Sequence, residues 1–300
     1  MFLLLGHGYW GKNIAKSFNE DLYAICESNQ SLHSDLKRLY PHALIYDDFS
    51  DALNDLSVKA VIIATKAVTH FEFAKKSILM GKHVWIEKPA CVSVEQIDEI
   101  IDLSEKMNVK VFVDHIMCHD SMIRHIKDTV DFGKPLYFES YRLHQGLFQP
   151  DVDVLYDLAI HDLSIIDFLF PGQQLVSKEK IANQHVNILS DHAVLNLKFE
   201  SGFRATITCS WVSPIKQRQM FIAGTRSLIH YLDGNCNVID LHDPIDENFS
   251  MEKCSSSKPL KVEQQPGLKI AKEYFENGIN NSKDMITDIY QAKRIQKWLE

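Results

Sequence analysis

The N-terminal stretch MFLLLGHGYWGKN constrains this chain more than any other segment. An apolar run leads into Gly6, Gly8 and Gly11, and a helical pattern opens behind them. Glycines at this spacing permit a tight turn, close approach of backbone to a pyrophosphate, and close packing of helix on strand. The helix N-terminus adds unbonded N–H groups and partial positive charge. The next apolar strand, LYAICES, ends at Glu27, nineteen residues past Gly8. A carboxylate there can accept hydrogen bonds from a ribose 2′-hydroxyl and repels a 2′-phosphate; no arginine follows it directly. The combination points to NAD, with NADP the less favoured alternative. Tyr9 and Trp10 leave the phosphate path open, because only backbone need approach it. Trp10 is expected to flank the nicotinamide side of the cleft and Tyr9 the pyrophosphate. The competing reading is a glycine turn without a ligand.

Strand and helix patterns alternate through the first 115 or so residues. The runs KAVIIAT, HVWIEKP and VKVFVDH are apolar throughout, as in strands buried on both faces, and they are separated by helical patterns. One helix is closed by Gly81, and another opens at Ser93 with Gln96 three residues on, a capping pair. This order implies right-handed βαβ units and a parallel sheet. Later segments change character. KPLYFESYRL alternates, VDVLYDLAIHDLSIIDFLF is a long helical pattern stopped by Pro171-Gly172, and HAVLNLKFE, FRATITCSWV, RQMFIAGT and SLIHYLD read as strands. Glu200-Ser201-Gly202 is a hairpin turn between the first two of these. Ser255 to Pro259 reads as an exposed loop. The fold class is therefore α/β plus α+β: a Rossmann dinucleotide-binding domain over residues 1–117 and a domain on a mostly antiparallel open sheet over residues 118–300. The last amphipathic helix, MITDIYQAKRIQKWL, is a candidate to pack back on the first domain.

Composition narrows the partners. With a net charge of −8, the chain of 300 residues has no basic footprint for nucleic acid or an anionic membrane surface. No apolar run reaches the length of a membrane span, MFLLL is too short for a signal peptide core, and a cytoplasmic location is expected. The six cysteines, Cys26, Cys91, Cys118, Cys209, Cys236 and Cys254, are scattered without a C-x-x-C pair. They read as reduced, mostly buried thiols, and no metal site is expected.

Two further motifs carry candidate chemistry. Glu87-Lys88-Pro89 closes a buried strand at its carboxyl end, where doubly wound sheets bind ligands. Lys88 is either a surface lysine at a strand end or an acid, base or hydrogen-bond donor in a cleft. Asp157 and His161, spaced i, i+4, stack on one face of a helix, with Asp153 and Ser164 near the same face. That stripe is either solvated or faces a cleft. In the second case His161 is the natural general base and Asp157 orients the imidazole or a hydroxyl. Asp162 is rotated about 100° from His161 and is expected to serve structure.

GHGYWGKN, VIIATKAVTHFEFAKKSILMGKHVWIEKP and VLYDLAIHDLSIIDFL together resemble the glucose–fructose oxidoreductase / inositol dehydrogenase (Gfo/Idh/MocA) family. The GYWGKN form of the turn, the DLxxHDLS form of the helix and SWVSPIKQRQMFIAGT are similar to its branch that oxidises UDP-linked N-acetylhexosamines or their uronates. The resemblance implies a Rossmann domain followed by an open-sheet domain, cofactor across the strand ends, substrate between the domains, and a homodimer or homotetramer. It makes Lys88 a partner of the reacting hydroxyl and the nicotinamide ribose. It places Thr65, Lys66, His70 and Glu87 beside the cofactor, and makes His115, in isolation as readily a packed histidine, a candidate with Arg142 for the substrate side; Lys216 and Arg218 have the charge to pair with a diphosphate, or are equally sheet-face charges at an oligomer contact. Departures are visible. Lys66 stands where the family has proline, Ser164 where many members have aspartate, and Met117-Cys118 where an arginine is usual.

The implied activity is oxidation of a secondary hydroxyl of a sugar, most specifically a nucleotide-linked hexosamine or its uronate, by hydride transfer to nicotinamide. A dehydrogenase of a free polyol or cyclic alcohol is the alternative enzyme. A catalytically silent NAD-binding sensor or scaffold is the alternative from another class.

Overall fold

A computed structural model describes residues 1–186, 188–241, 254–281 and 285–300. In chain order the elements are β1 (Phe2–Leu5), α1 (Gly11–Phe18), β2 (Leu22–Cys26), α2 (His33–Leu39), β3 (Leu44–Tyr46), α3 (Phe49–Asn54), β4 (Ala60–Ile63), α4 (Ala67–Leu79), β5 (His83–Glu87), α5 (Val94–Met107) and β6 (Val111–Asp114). They are followed by α6 (Ser121–Thr129), β7 (Pro135–Gln145), a π-helical turn at Leu155–Ala159, α7 (Ile160–Leu169), β8 (Leu175–Asn183), β9 (His192–Phe199), β10 (Arg204–Ser210), β11 (Val212–Gly224), β12 (Ser227–Leu232), β13 (Asn235–Leu241), β14 (Cys254–Leu260), α8 (Gly267–Asn281) and α9 (Ile289–Leu299). They form two compact units. One combines Met1–Ile116 with Pro266–Trp298, and the other spans Met117–Gln265.

In the first unit six parallel strands run in the order β3-β2-β1-β4-β5-β6. The central strands are apolar end to end because both faces are covered. On one face Leu3, Leu5, Val61, Ile63, Val84 and Ile86 pack with residues of α3, α4, α5 and α9. On the other, Phe2, Leu4, Ile62, Trp85 and Phe112 pack with α1, α2 and α8. Trp85 is the hub of that second face, 4.3 Å from Phe112, 5.4 Å from Phe18 and 5.6 Å from Phe275, centroid to centroid. Such offset aromatic contacts add to the burial energy. The helix signals behave as written in the sequence. The Ser93 hydroxyl accepts the Gln96 N–H at 3.3 Å, and the Gln96 side chain reaches back to the Val92 N–H at 3.2 Å. Gly81, at φ +70°, takes the left-handed conformation that ends α4.

The second unit is built on eight strands ordered β14-β13-β12-β11-β7-β10-β9-β8. β7 and β10 pair in parallel, and the other pairs among the described residues are antiparallel. Gly202, at φ +88°, turns the chain between β9 and β10 as expected. Ser255 to Pro259, expected as a loop, belong instead to β14, an edge strand that needs no alternating apolar face. Of the cysteines, Cys26, Cys91, Cys118, Cys209 and Cys236 are buried thiols; the Cys254 side chain lies outside the described residues. No described helix is long and apolar enough to cross a membrane.

Candidate active site

The three glycines of the opening turn do three different jobs. Gly6 sits at φ +90°, and a Cβ there would stand 2.8 Å from the Ala64 carbonyl oxygen. A Cβ on Gly11 would stand 2.3 Å from the Gly6 carbonyl oxygen, so helix and strand meet through this glycine. A Cβ on Gly8 would meet nothing within 4 Å. The middle glycine therefore faces open space, as a cradle for a ligand requires, while its neighbours are needed by the fold itself. The start of α1 agrees. Like α4, α1 begins with no side-chain cap and no acidic residue in its first turn. Its free N–H groups can donate to an anion. These features fit the pyrophosphate of a dinucleotide.

Glu27 is set by the turn it serves. Its two carboxylate oxygens accept the backbone N–H groups of His7, at 3.0 Å, and Asn29, at 2.9 Å. Fixed by two donors, the carboxylate keeps its remaining lone pairs in one orientation for a ribose hydroxyl. Burial, and then Lys12, lower the His7 imidazole from its ordinary value, while Glu27 opposes the shift. Tyr9 is 77% exposed at the tip of the turn. Trp10 is half-buried, and its indole packs against the aromatic face of the sheet.

At the next strand ends, the Thr65 hydroxyl lies 2.8 Å from the Thr69 hydroxyl, and Lys66 is exposed in the residue before α4. His70 is turned inward. Its ring nitrogens lie 2.8 Å from the Pro89 carbonyl oxygen and 3.2 Å from that of Thr65. It braces the loop after β4 against the segment after β5. Lys88 is half-buried and precedes Pro89 through a cis peptide bond. Glu87 is buried and stands beside Asp114 of β6, its register partner. Burial, and then Asp114, raise the Glu87 carboxyl well above the usual carboxylate range; burial likewise raises Asp114. His115 is 1% exposed, with Nδ1 2.8 Å from Gln291 Oε1. Its surroundings are those of a packed histidine rather than of a side chain reaching for substrate.

In the second unit the expected i, i+4 stacking of Asp157 and His161 is altered, because Asp157 lies in the π-helical turn that precedes α7. A π turn holds an extra residue per turn and re-aims side chains, and such turns gather at functional sites. The Asp153 carboxylate accepts the N–H groups of Leu155 and Tyr156, at 3.0 and 3.1 Å, and fixes where the turn begins. Asp153, Tyr156, Asp157 and His161 are all half-buried among apolar neighbours, which defines one polar stripe. Asp157 accepts the Trp211 indole N–H at 3.1 Å, and Ser164 donates to the His161 carbonyl at 2.7 Å. His144, on β7, is pushed down by burial and pulled up by Asp157, with Arg218 and Lys216 pushing it further down. Four of these groups, Asp157, His144, Lys216 and Arg218, therefore act on one neighbourhood.

Arg142 has a different place from the one expected. It is 8% exposed, and its Nε donates to Asp162 at 2.7 Å. Arg218 stands opposite it on β11, and both border a cavity of about 130 Å³ with Asp120, Met220 and Tyr231. Asp162 serves structure, as expected, by neutralising Arg142. Asp114, His144 and Trp211 were missed by sequence reasoning. For Asp114 a signal existed: counted with period two, Trp85 and Glu87 on β5 and Phe112 and Asp114 on β6 fall on the same face of the sheet.

Comparison with known proteins gives the same picture. Residues 1–115 match the oxidoreductase family with an NAD-binding Rossmann fold, and residues 123–230 match the GFO/IDH/MocA C-terminal domain. The chain is 28% identical over 186 residues to a UDP-N-acetylglucosamine 3-dehydrogenase of Acidithiobacillus ferrooxidans, covering 60% of this chain and 58% of that protein. It is 24% identical over 191 residues to the scyllo-inositol 2-dehydrogenase (NADP(+)) of Bacillus subtilis, covering 60% and 53%. The matched segment thus spans a little over half the length of these curated relatives. A solved structure of the Acidithiobacillus enzyme superposes with a TM-score of 0.87 at 22% identity, covering 99% of this chain and 94% of the other. The chain belongs to the Gfo/Idh/MocA family of oxidoreductases.

Proposed function

We propose that this oxidoreductase is an NAD-dependent dehydrogenase of a secondary sugar hydroxyl, with a nucleotide-linked N-acetylhexosamine or its uronate as substrate. One observation carries the substrate reading: the half-buried stripe with Asp157 and His161 lies on the unit where the exposed cations Lys216 and Arg218 act on His144, as Asp157 also does. A diphosphate needs such cations, and an uncharged polyol does not. The likeness to a UDP-N-acetylglucosamine 3-dehydrogenase supports the same class. NAD is favoured over NADP by the carboxylate at Glu27.

Bound nicotinamide supplies hydride acceptance. The chain's own residues supply the rest. Gly6, Gly8, Gly11 and the uncapped start of α1 bind the pyrophosphate, with Tyr9 at the tip of the turn, and Glu27 receives the ribose. Thr65, Lys66 and Glu87 belong to the cofactor side, with His70 bracing them. The role proposed for Lys88 is hydrogen bonding to the reacting oxygen. The role proposed for His161 is removal of the hydroxyl proton, with Asp157 orienting.

The test is spectrophotometric. UDP-N-acetylglucosamine and its uronate are offered with NAD or NADP, and the reduced-nicotinamide band is followed. His161→Ala and Lys88→Ala are each expected to lower kcat by at least about 100-fold, the usual contribution of a positioned acid or base. Turnover of free inositol but no nucleotide sugar would replace the substrate reading. Full turnover in either variant would remove that residue's role.

A further inference from the structure

Glu87 and Asp114 are the deepest acidic pair on the sheet. Pairing of β5 with β6 sets them side by side in register, at the carboxyl ends of their strands, and they are 7% and 1% exposed. They continue the rows of Trp85 and Phe112 on the face covered by α1 and α8. Glu87 Oε1, both oxygens of Asp114 and the indole nitrogen of Trp10 are shut off from solvent and have no hydrogen-bond partner among the described residues. Trp10 lies beside the two carboxyls, and the charged group acting on both of them is Lys88. Two carboxylates side by side in a buried site cannot both ionise, so one proton stays with the pair.

We infer that Glu87 and Asp114 share one proton and so hold a single buried negative charge that favours oxidised over reduced nicotinamide cofactor. The reasoning is electrostatic. The oxidised nicotinamide ring is a cation and the reduced ring is neutral. A doubly wound sheet binds its ligand at the carboxyl ends of its strands, which is where this pair and Lys88 are found. The negative charge of the pair stands beside the positive charge of Lys88 and favours a cation over a neutral ring. One unit of charge in a partly desolvated site changes the affinity ratio of two ligands that differ by one charge by about tenfold. For the bound two-electron couple this equals a shift of about 30 mV in midpoint potential.

The inference rests on the cofactor part of the proposed function and is independent of the sugar. The experiment measures dissociation constants of NAD+ and NADH, without substrate, for the wild type, Glu87→Gln, Asp114→Asn and the double variant; NADP+ and NADPH are used in the same way if they bind tighter. Each single variant keeps one ionisable carboxyl, and its NADH-to-NAD+ Kd ratio is expected within about twofold of the wild type. The double variant is expected to lower that ratio about tenfold. An unchanged ratio in the double variant, or an equal fall in the single ones, overturns the inference. Should the double variant fail to fold, the wild type decides alone. Its ratio is expected to fall between pH 8 and pH 5 as the pair takes up its second proton, and to do so less in Glu87→Gln. A pH-independent ratio overturns the inference. Failure of the sugar assay leaves all these readings intact.

Discussion

Alanine substitutions at Gly8 and Gly11 separate the fold of the opening turn from its use. At Gly8 the added methyl meets nothing within 4 Å, and the residue has no positive φ. Gly8→Ala therefore costs the folded state no steric energy. It also removes freedom from the unfolded chain, a gain of about 0.4–1 kcal/mol. At Gly11 the methyl would overlap the Gly6 carbonyl oxygen at 2.3 Å. That atom is backbone and is held in place, since the Gly6 N–H bonds Cys26 at 2.9 Å. Separating the two requires α1 to move off β1, and overpacking of this kind costs about 1–3 kcal/mol or more. Thermal denaturation without cofactor is expected to show Gly8→Ala at or slightly above the wild-type Tm, and Gly11→Ala several degrees below it. Equilibrium titration with NAD is expected to show both variants weakened at least about tenfold, because the Gly8 methyl occupies the space a pyrophosphate would fill. Wild-type NAD affinity in Gly8→Ala would refute the cradle. A Gly8→Ala protein as unstable as Gly11→Ala would refute the division of labour among the glycines.

Further outcomes follow from the buried charges. The Arg142–Asp162 pair, 2.7 Å apart with side chains 10% and 0% exposed, leaves an uncompensated charge when either partner is removed; Arg142→Met and Asp162→Leu are each expected to cost about 3–5 kcal/mol in urea denaturation, and the double variant much less than their sum. The Glu87–Asp114 pair gives stability a defined pH dependence. Both carboxyls titrate higher in the folded chain than when unfolded, so the folded state holds more protons above about pH 4 and stability falls as pH rises through the raised range. Glu87→Gln is expected to flatten the decline in Tm between pH 5 and pH 8; an unchanged slope would show that the pair does not titrate in this interval.

The two units differ in how far the sequence discloses them. In the first, β1, β4 and β5 are buried on both faces, so their sequences are apolar runs, and Ser93 and Gly81 carry the chemistry of the helix ends they form. In the second, the strands found by alternation are interior ones, β7 and β9 to β12. The edge strands escape. Six of the nine residues of β8, LVSKEKIAN, are polar or small, and most are exposed. An edge strand packs so little apolar surface that its sequence is free to look like a loop. The π turn at Leu155–Ala159 was hidden for another reason. The pattern around Asp157 is compatible with an unbroken α-helix, and the extra residue is inserted by local contacts such as the Asp153 cap and the Trp211 indole.

Trp10 shows how a local motif and a distant strand end become one device. G-x-G-x-x-G spacing restricts three positions to glycine and leaves the two between the second and third open to any side chain. Tyr9 points to solvent from one of them. Trp10, at the first turn of α1, is carried over the face of the sheet by the same helix packing that Gly11 permits, and its indole nitrogen is buried with the carboxyls of Glu87 and Asp114. A smaller residue would leave the buried carboxyls without this polar neighbour. The aromatic side chain that looks out of place in a phosphate turn is thus explained by atoms almost eighty and more than one hundred residues away. It ties the pyrophosphate end of the turn to the strand ends that bear Lys88, so a change in the charge of the carboxyl pair is felt at both.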